Sequence, residues 1–397
     1  MIKKQNNLSK SALHFVILIG IVSLFADFTY EGARSVNGQF LETLGASAAA
    51  VGFIAGFGEL IGYALRYVFG YIADKTKRYW LNAIAGYTLN LLAVPALALV
   101  GSWQIAALLI IAERTGRAIR KPAIESMLSH AGTQTGQGWA FGLHETLDQT
   151  GATLGPLMMA LGLFLKDGYK AGYTLLLIPA LLSLITVLIS RYIYKNPSSF
   201  DKTKRLNIDG FQKSYWLYML AAACLAAGFA DFALIGYHFQ QKGVVSTSLI
   251  PVYYSVAMAV GAIGALTLGK LFDKNNIATV IISFLAAAFF APMVFLGHGI
   301  VIFIGMILWG IGLAAQESLI KPLVTGVISA TKRATAFGLF DTGFGFAWFI
   351  GSSLMGILYT KSIYSLVYFS IALELISLPI FWFGYMKKRH KLSFRQL

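Results

Sequence analysis

Long apolar runs recur along the whole chain, each closed by a short polar turn. A helix rises about 1.5 Å per residue, so roughly 20 apolar residues cross the ~30 Å of bilayer hydrocarbon. On that criterion the sequence predicts twelve spans, near 11–38, 46–72, 79–101, 103–130, 138–165, 171–194, 214–241, 247–272, 276–298, 300–330, 333–361 and 363–386. The turns are a few residues long except for 195–213, which is polar, rich in Lys and contains Pro197. It is expected to be a linker between an N-terminal six-helix bundle (1–194) and a C-terminal one (214–397).

Composition removes the soluble alternatives. Apolar residues are 57% of the chain and charged residues 12%, with a mean hydropathy of +0.68, so a water-soluble fold could not hide the apolar surface. The expectation is an all-α, multi-pass integral membrane protein whose surroundings are the lipid bilayer. The single cysteine, Cys224, excludes an intrachain disulfide framework and a cysteine-based metal cluster. The net charge of +15 does not indicate nucleic-acid binding, because the basic residues sit in short segments between apolar runs.

Their placement instead predicts orientation. With both ends cytoplasmic, inner segments hold Lys3, Lys4, Lys10, Lys75, Lys77, Arg78, Lys195, Lys202, Lys204, Arg205, Lys213, Lys274, Lys332 and Arg333. The tail adds Lys387, Lys388, Arg389, Lys391 and Arg395, whereas outer loops hold only Lys166, Lys170, Lys242 and Lys361. The expected location is a bacterial inner (plasma) membrane. A cleavable leader is conceivable for the basic N-terminus. The first run, however, carries Asp27, Glu31 and Arg34 and has no Ala-x-Ala site, so it reads as the first span.

The two halves repeat. Phe25-Ala26-Asp27-Phe28 returns as Phe229-Ala230-Asp231-Phe232, Gly70 and Asp74 as Gly269 and Asp273, Lys121-Pro122 as Lys321-Pro322, and Ala140-Phe141-Gly142-Leu143 as Ala336-Phe337-Gly338-Leu339. The offsets are 204, 199, 200 and 196, in the same order along the chain. Parallel repeats of this kind enclose a site near the membrane midplane.

With these features the chain resembles the major facilitator superfamily over its whole length. Gly70-Tyr71-Ile72-Ala73-Asp74-Lys75-Thr76-Lys77-Arg78 is similar to that family's glycine-x-x-x-aspartate-basic signature between helices 2 and 3, with Thr76 standing where a second glycine is usual. Gly269 to Lys274 is a shorter copy. On helix 5, Gly151-Ala152-Thr153-Leu154-Gly155-Pro156 is similar to the family's antiporter motif, although Met158 and Met159 replace small residues. Helix 4 has Glu113-Arg114-Thr115-Gly116-Arg117 in place of the family's arginine-x-x-x-glycine pattern. The resemblance implies twelve helices in two repeats, with helices 1, 4, 7 and 10 lining a central cavity and 3, 6, 9 and 12 outermost.

Gating is expected at Gly70, Asp74, Lys75, Arg78 and Asp273, where an aspartate can dock on a helix N-terminus; the alternative is loop charge that serves topology alone. Gly151 and Gly155 permit close helix approach and Pro156 can bend the helix, either for gate sealing or for simple packing.

Ionisable side chains inside spans carry the functional argument, since each costs at least ~2.5–3.5 kcal/mol at bilayer depth. Helix 1 places Asp27, Glu31 and Arg34 on one face; helix 2 has Glu59 and Arg66; helix 4 has Glu113, Arg117, Arg120 and Lys121 on one stripe with Arg114 turned aside. Helix 5 has His144, Glu145 and Asp148, helix 7 Asp231 and His238, helix 10 Glu317 and Lys321, and helix 11 Asp341, which matches Glu145 under the repeat. The set expected to handle substrate or protons is Asp27, Glu31, Arg34, Glu59, Glu113, Arg117, Arg120, Glu145, Asp148, Asp231, His238 and Glu317, with Asp27 and Glu113 foremost. Tyr30, Tyr63 and Tyr237 share helices with these charges. The competing reading is mutual neutralisation in structural pairs such as Glu317–Lys321.

The resemblance and the charges together imply a secondary transporter working by alternating access. Protons are the expected coupling partner, because low dielectric disfavours an ionised carboxylate and lets protonation bias a gate. The basic residues of helix 4 imply an anionic or zwitterionic small-molecule substrate, since guanidinium groups grip carboxylate and phosphate in bidentate fashion. Two alternatives remain: a multidrug/proton antiporter exporting hydrophobic compounds, and a non-transporting membrane sensor or assembly factor. No nucleotide-binding loop, nucleophile–base constellation or metal-ligand spacing is present. Neither an enzyme, a cofactor nor a bound metal is therefore expected, and the family's habit implies a monomer.

Overall fold

The computed structural model describes residues 2–135, 137–165, 168–195, 213–325, 327 and 333–393. Among them every regular element is helical and no strand occurs. In chain order the helices are α1 (Ile2–Arg34), α2 (Asn37–Thr43), α3 (Ala48–Thr76), α4 (Tyr79–Ala96), α5 (Trp103–Thr135), α6 (Gln137–Phe164), α7 (Gly168–Leu175) and α8 (Leu177–Ile193). There follow α9 (Lys213–Gly228), α10 (Phe232–Lys242), α11 (Ile250–Lys274), α12 (Asn276–Ala287), α13 (Phe290–Leu296), α14 (Ile300–Thr325), α15 (Arg333–Lys361) and α16 (Ile363–Ser393). Taking α1–α2, α7–α8, α9–α10 and α12–α13 as interrupted single crossings gives the twelve spans.

The interruptions correct the expectation of unbroken helices, and each has a local cause. Pro179 and Pro292 lack the N–H that would reach back to residues 175 and 288, and the chain breaks at Leu176 and at Ala288–Phe289. The seventh span breaks after Gly228, and Asp231 restarts it by accepting a hydrogen bond from the Ala233 N–H at 3.0 Å. In the first span α1 ends before Ser35, whose hydroxyl donates to the Gly32 carbonyl at 2.6 Å, and the chain resumes in α2. Pro95, Pro122, Pro156, Pro322 and Pro379 stay inside continuous helices.

Ten elements among the described residues are long and apolar enough to cross a membrane. The two long helices outside that set are α5 and α6, which carry Glu113, Arg114, Arg117 and Arg120 in one case and His144, Glu145 and Asp148 in the other. The two helices outside that set owe it to these polar and charged residues, while α1 remains apolar enough despite Asp27, Glu31 and Arg34.

The chain divides into two units. One comprises Met1–Leu44, Ile61–Lys204 and Ser248–Ser255; the other comprises Gly45–Leu60, Arg205–Thr247 and Val256–Leu397. In the first, α1 lies against α6 and α8, and α4 against α5. Its core gathers Phe15, Val16, Ile19, Tyr87, Leu91, Met127 and Leu128. The α1–α6 seam is backbone on backbone: a Cβ on Gly151 would stand 2.2 Å from the Leu24 carbonyl oxygen, and one on Gly155 2.2 Å from that of Phe28. Outward faces such as Ile178, Leu182, Ile185 and Ile189 of α8 are exposed, as hydrocarbon-facing positions should be.

In the second unit α9 packs on α15 and α16, and α14 on α12 and α13. Phe229, Phe290, Trp309 and Trp348 stack around the break in the seventh span, and the Trp309 indole N–H donates to the Ala230 carbonyl at 2.9 Å. Most of the expected linker lies outside the described residues, as do the side chains of Asp74, Asp273 and Lys321.

Candidate functional site

Charge in the first unit concentrates on facing sides of α1 and α5. Arg120 approaches Asp27 (Nη2–Oδ1 3.7 Å), and Arg117 approaches Glu31 (Nη1–Oε1 4.0 Å), which Arg34 also faces at 3.7 Å. Asp27, Glu31 and Arg120 are all buried. Separations of this size are ion pairs without close hydrogen bonds. Arg120 Nε is buried with no hydrogen-bond partner among the described residues.

Aromatic rings hold the guanidinium groups in place. Arg117 lies over Tyr30 at 4.4 Å from the ring centroid, while Arg120 lies over Tyr87 at 4.5 Å and Tyr30 at 5.7 Å. Each such contact is worth roughly 0.5–2 kcal/mol, more where desolvated. The Tyr254 hydroxyl of α11 completes the cluster by donating to Glu31 Oε2 at 2.5 Å. A polar chain leaves the cluster toward α6. Ser23 Oγ lies 3.5 Å from the Tyr87 hydroxyl and 2.8 Å from His144 Nε2, and His144 Nδ1 lies 3.5 Å from Asp148 Oδ2.

Glu113 stands apart from this cluster. Its carboxylate accepts from Asn90 Nδ2 at 2.8 Å and pairs with Arg114 at 3.4 Å. The expected grouping of Asp27, Glu31, Glu113 and Arg117 is therefore split, with Glu113 turned toward α4. Arg114 is not turned aside: it is buried and serves as Glu113's ionic partner.

The remaining expected residues occupy separate places. Glu145 is exposed and accepts from Gln149. Glu59 is buried on the part of α3 that belongs to the second unit, where Asp231 caps α10. His238 is buried, with Nδ1 3.0 Å from the Tyr359 hydroxyl, which itself donates to Gln241 Oε1 at 2.9 Å. Glu317 is exposed on α14. Tyr63 stacks under Arg66 at 4.8 Å, and Tyr237 meets Tyr359 edge to face.

In the loop between α3 and α4, the left-handed residue is Lys77 (φ 56°), one position beyond Thr76. The conformation that glycine adopts most readily is thus needed at Lys77. Lys75 and Arg78 are exposed there, and Gly70 faces Pro122 at ordinary contact distance.

Sequence reasoning missed Tyr87, Asn90 and Tyr254. It searched for ionisable residues, of which the third span has none, and the family resemblance implied that this span lies outermost. Two neutral polar residues three apart in an apolar helix, Tyr87 and Asn90 with Gly86 beside them, were the available signal.

The sequence profile of the Major Facilitator Superfamily matches residues 17–352. The chain belongs to that superfamily. An uncharacterized protein of Mycobacterium tuberculosis is 36% identical over 377 residues, covering 93% of this chain and 92% of its own length. An uncharacterized MFS-type transporter of Methanocaldococcus jannaschii is 24% identical, covering 91% and 92%. Among solved structures, the nucleoside transporter NupG superposes with a TM-score of 0.74 at 17% identity, covering 94% of this chain and 98% of that one. A bacterial homolog of the human lysosomal transporter Spinster superposes at 0.76 and 14%, covering 96% and 98%. These structures share the fold of this chain.

Proposed function

We propose that this member of the superfamily is a proton-coupled secondary transporter of a small organic anion or zwitterion. It works by alternating access of the repeats 1–194 and 214–397. The observation that carries the substrate class is the Arg117–Arg120 pair, held on Tyr30 and Tyr87, with Arg120 buried and its Nε lacking an acceptor among the described residues. A buried guanidinium donor without an acceptor costs ~1–3 kcal/mol, and a carboxylate or phosphate oxygen removes that cost. Structural neighbours named for nucleosides and for peptides share this fold, so the substrate is argued from these residues and not from the neighbours.

Asp27 and Glu31 already face the two arginines, so an arriving anion competes with them. Protonating either carboxylate frees its arginine for substrate, which makes proton and substrate occupancy interdependent. The chain through Tyr87, Ser23, His144 and Asp148 supplies a route for that proton. Gly70, Asp74, Lys75, Arg78 and Asp273 fit the role of gating elements, with both termini cytoplasmic in a bacterial plasma membrane and the monomer as the working unit.

The test is a thermal-shift screen of the purified protein against organic anions, zwitterions and lipophilic cations, followed by uptake of each hit into proteoliposomes with and without an inward proton gradient. Binding at ten times Kd or more raises apparent stability by upward of ~1.4 kcal/mol. Hits confined to lipophilic cations would overturn the substrate class, and uptake indifferent to the gradient would overturn the coupling.

A further inference from the structure

Glu374 lies at the middle of α16 and is fully buried. Its neighbour is the end of α9: a Cβ on Gly228 would come within 3.2 Å of Glu374 Cγ and 3.0 Å of both Leu373 Cβ and the Ser370 carbonyl oxygen. Both carboxyl oxygens are sealed from solvent without a hydrogen-bond donor among the described residues. The helices packed on α16 are α9, α12, α13 and α15. Of these, α12 and α13 carry no titratable side chain; α9 carries Lys213, Tyr215, Tyr218 and Cys224, and α15 carries Arg333, Asp341, Tyr359 and Lys361. Among the described residues no salt bridge reaches Glu374, and the polar side chain beside it is Ser370.

The hydrogens nearby are already committed. Ser370 Oγ donates its one hydrogen to the Gly228 carbonyl at 2.6 Å, and Ser377 Oγ donates to the backbone carbonyl of Glu374 itself at 2.6 Å. With the Ser370 hydrogen committed to Gly228, an ionised carboxylate here would have no close cation and no uncommitted donor among the described residues, at a cost of several kcal/mol. A protonated one brings its own O–H, which the free lone pairs of Ser370 can accept. The last carbonyls of α9 also point this way, the negative end of that helix. Immediately beyond lies the break at Phe229–Ala230, pinned by Trp309 and restarted by Asp231.

We propose that Glu374 is a proton-binding site that fastens α16 to the broken seventh span, so that release of its proton loosens the segment around 228–231. On release, the O–H bond breaks, its electron pair stays on the carboxylate and the proton passes to water admitted at the seam. The resulting negative charge repels the α9 carbonyls and weakens the contact through Ser370. The purpose of such a site, a second proton control for the cycle, rests on the transporter reading above; its geometry does not.

The purified full-length protein in lipid nanodiscs is treated with dicyclohexylcarbodiimide, which reacts with protonated carboxyls in apolar surroundings, and the adducts are located by mass spectrometry. The expected result is an adduct on Glu374 whose yield falls severalfold from mildly acidic to mildly alkaline buffer. Amide exchange over 225–235 should rise in the alkaline sample relative to Glu374→Gln at the same pH. No adduct at either pH, or a yield unchanged between them, would overturn the proposal, and this wild-type measurement decides even where Glu374→Gln fails to fold. Labelling without uptake of any solute would remove only the transporter reading, whereas uptake without labelling would remove only this site.

Discussion

Asn90 of α4 donates one amide nitrogen to both the carboxylate and the backbone carbonyl of Glu113 on α5, at 2.8 and 3.2 Å. That reach depends on glycine. A Cβ on Gly116 would stand 2.4 Å from the Asn90 backbone nitrogen, and one on Gly86 2.6 Å from the Gly116 carbonyl oxygen. Helices in lipid gain from such backbone contact because apolar side chains gain little from leaving lipid. Gly116→Ala should therefore lower stability by ~1–3 kcal/mol through overpacking. Asn90→Ala should cost a similar ~1–3 kcal/mol by leaving Glu113 short of a donor. Unfolding midpoints in detergent check both, and a wild-type midpoint for Gly116→Ala would contradict the close seam.

The repeated Phe-Ala-Asp-Phe segment yields a second prediction, because its two aspartates perform different work. Asp27 sits inside continuous α1 and faces Arg120, whereas Asp231 caps α10 across a helix break. Asparagine caps a helix about as well as aspartate, so Asp231→Asn should change stability by only a few tenths of a kcal/mol, against ~0.5–2 kcal/mol for Asp231→Ala. Asp27→Asn strands a buried arginine and should cost ~3–5 kcal/mol. Melting curves of the three variants decide the matter, and equal losses for the two asparagine substitutions would show that the copies share one role.

That contrast also marks what a sequence can reveal here. The spans were legible because solvation by lipid demands apolar length, a property summed over many residues. The repeat was legible because Asp27 and Asp231 keep their neighbours. Their divergence was not, since capping depends on where a helix breaks, and the break follows Gly228 without a proline to announce it. Charged members of the cluster could be picked out by their cost in hydrocarbon, yet Tyr87, Asn90 and Tyr254 could not. A neutral polar side chain costs little enough to occur anywhere, and only packing shows that these three point at Arg120, Glu113 and Glu31.

Arginine identity is the third prediction. Arg120 is buried between Asp27 and the faces of Tyr87 and Tyr30, a setting that uses a planar, delocalised cation. Arg120→Lys keeps the charge but loses the fork and the stacking. With whichever solute the screen identifies, it should weaken binding by at least tenfold, the equivalent of ~1.4 kcal/mol, without a comparable fall in midpoint. Lysine that binds the solute as wild type does would show that only the charge matters there.

Tyr254 and Glu31 supply the fourth, through a double-mutant cycle. The tyrosine hydroxyl donates to Glu31 Oε2, while Arg34 and Arg117 face Oε1. A hydrogen bond to a charged group contributes ~1.5–3 kcal/mol, so Tyr254→Phe should destabilise by that order even though it keeps the ring. Glu31→Gln should be costly as well, because it leaves two guanidinium groups without their counter-charge. If the hydroxyl acts on Glu31 alone, the pair Tyr254→Phe with Glu31→Gln should cost clearly less than the two single variants together, with a coupling of ~0.5–3 kcal/mol. Strict additivity would mean that Tyr254 stabilises something other than the carboxylate. Glu31 would then answer only to its arginines, and a proton arriving on it would free Arg34 and Arg117 without first breaking a bond to α11.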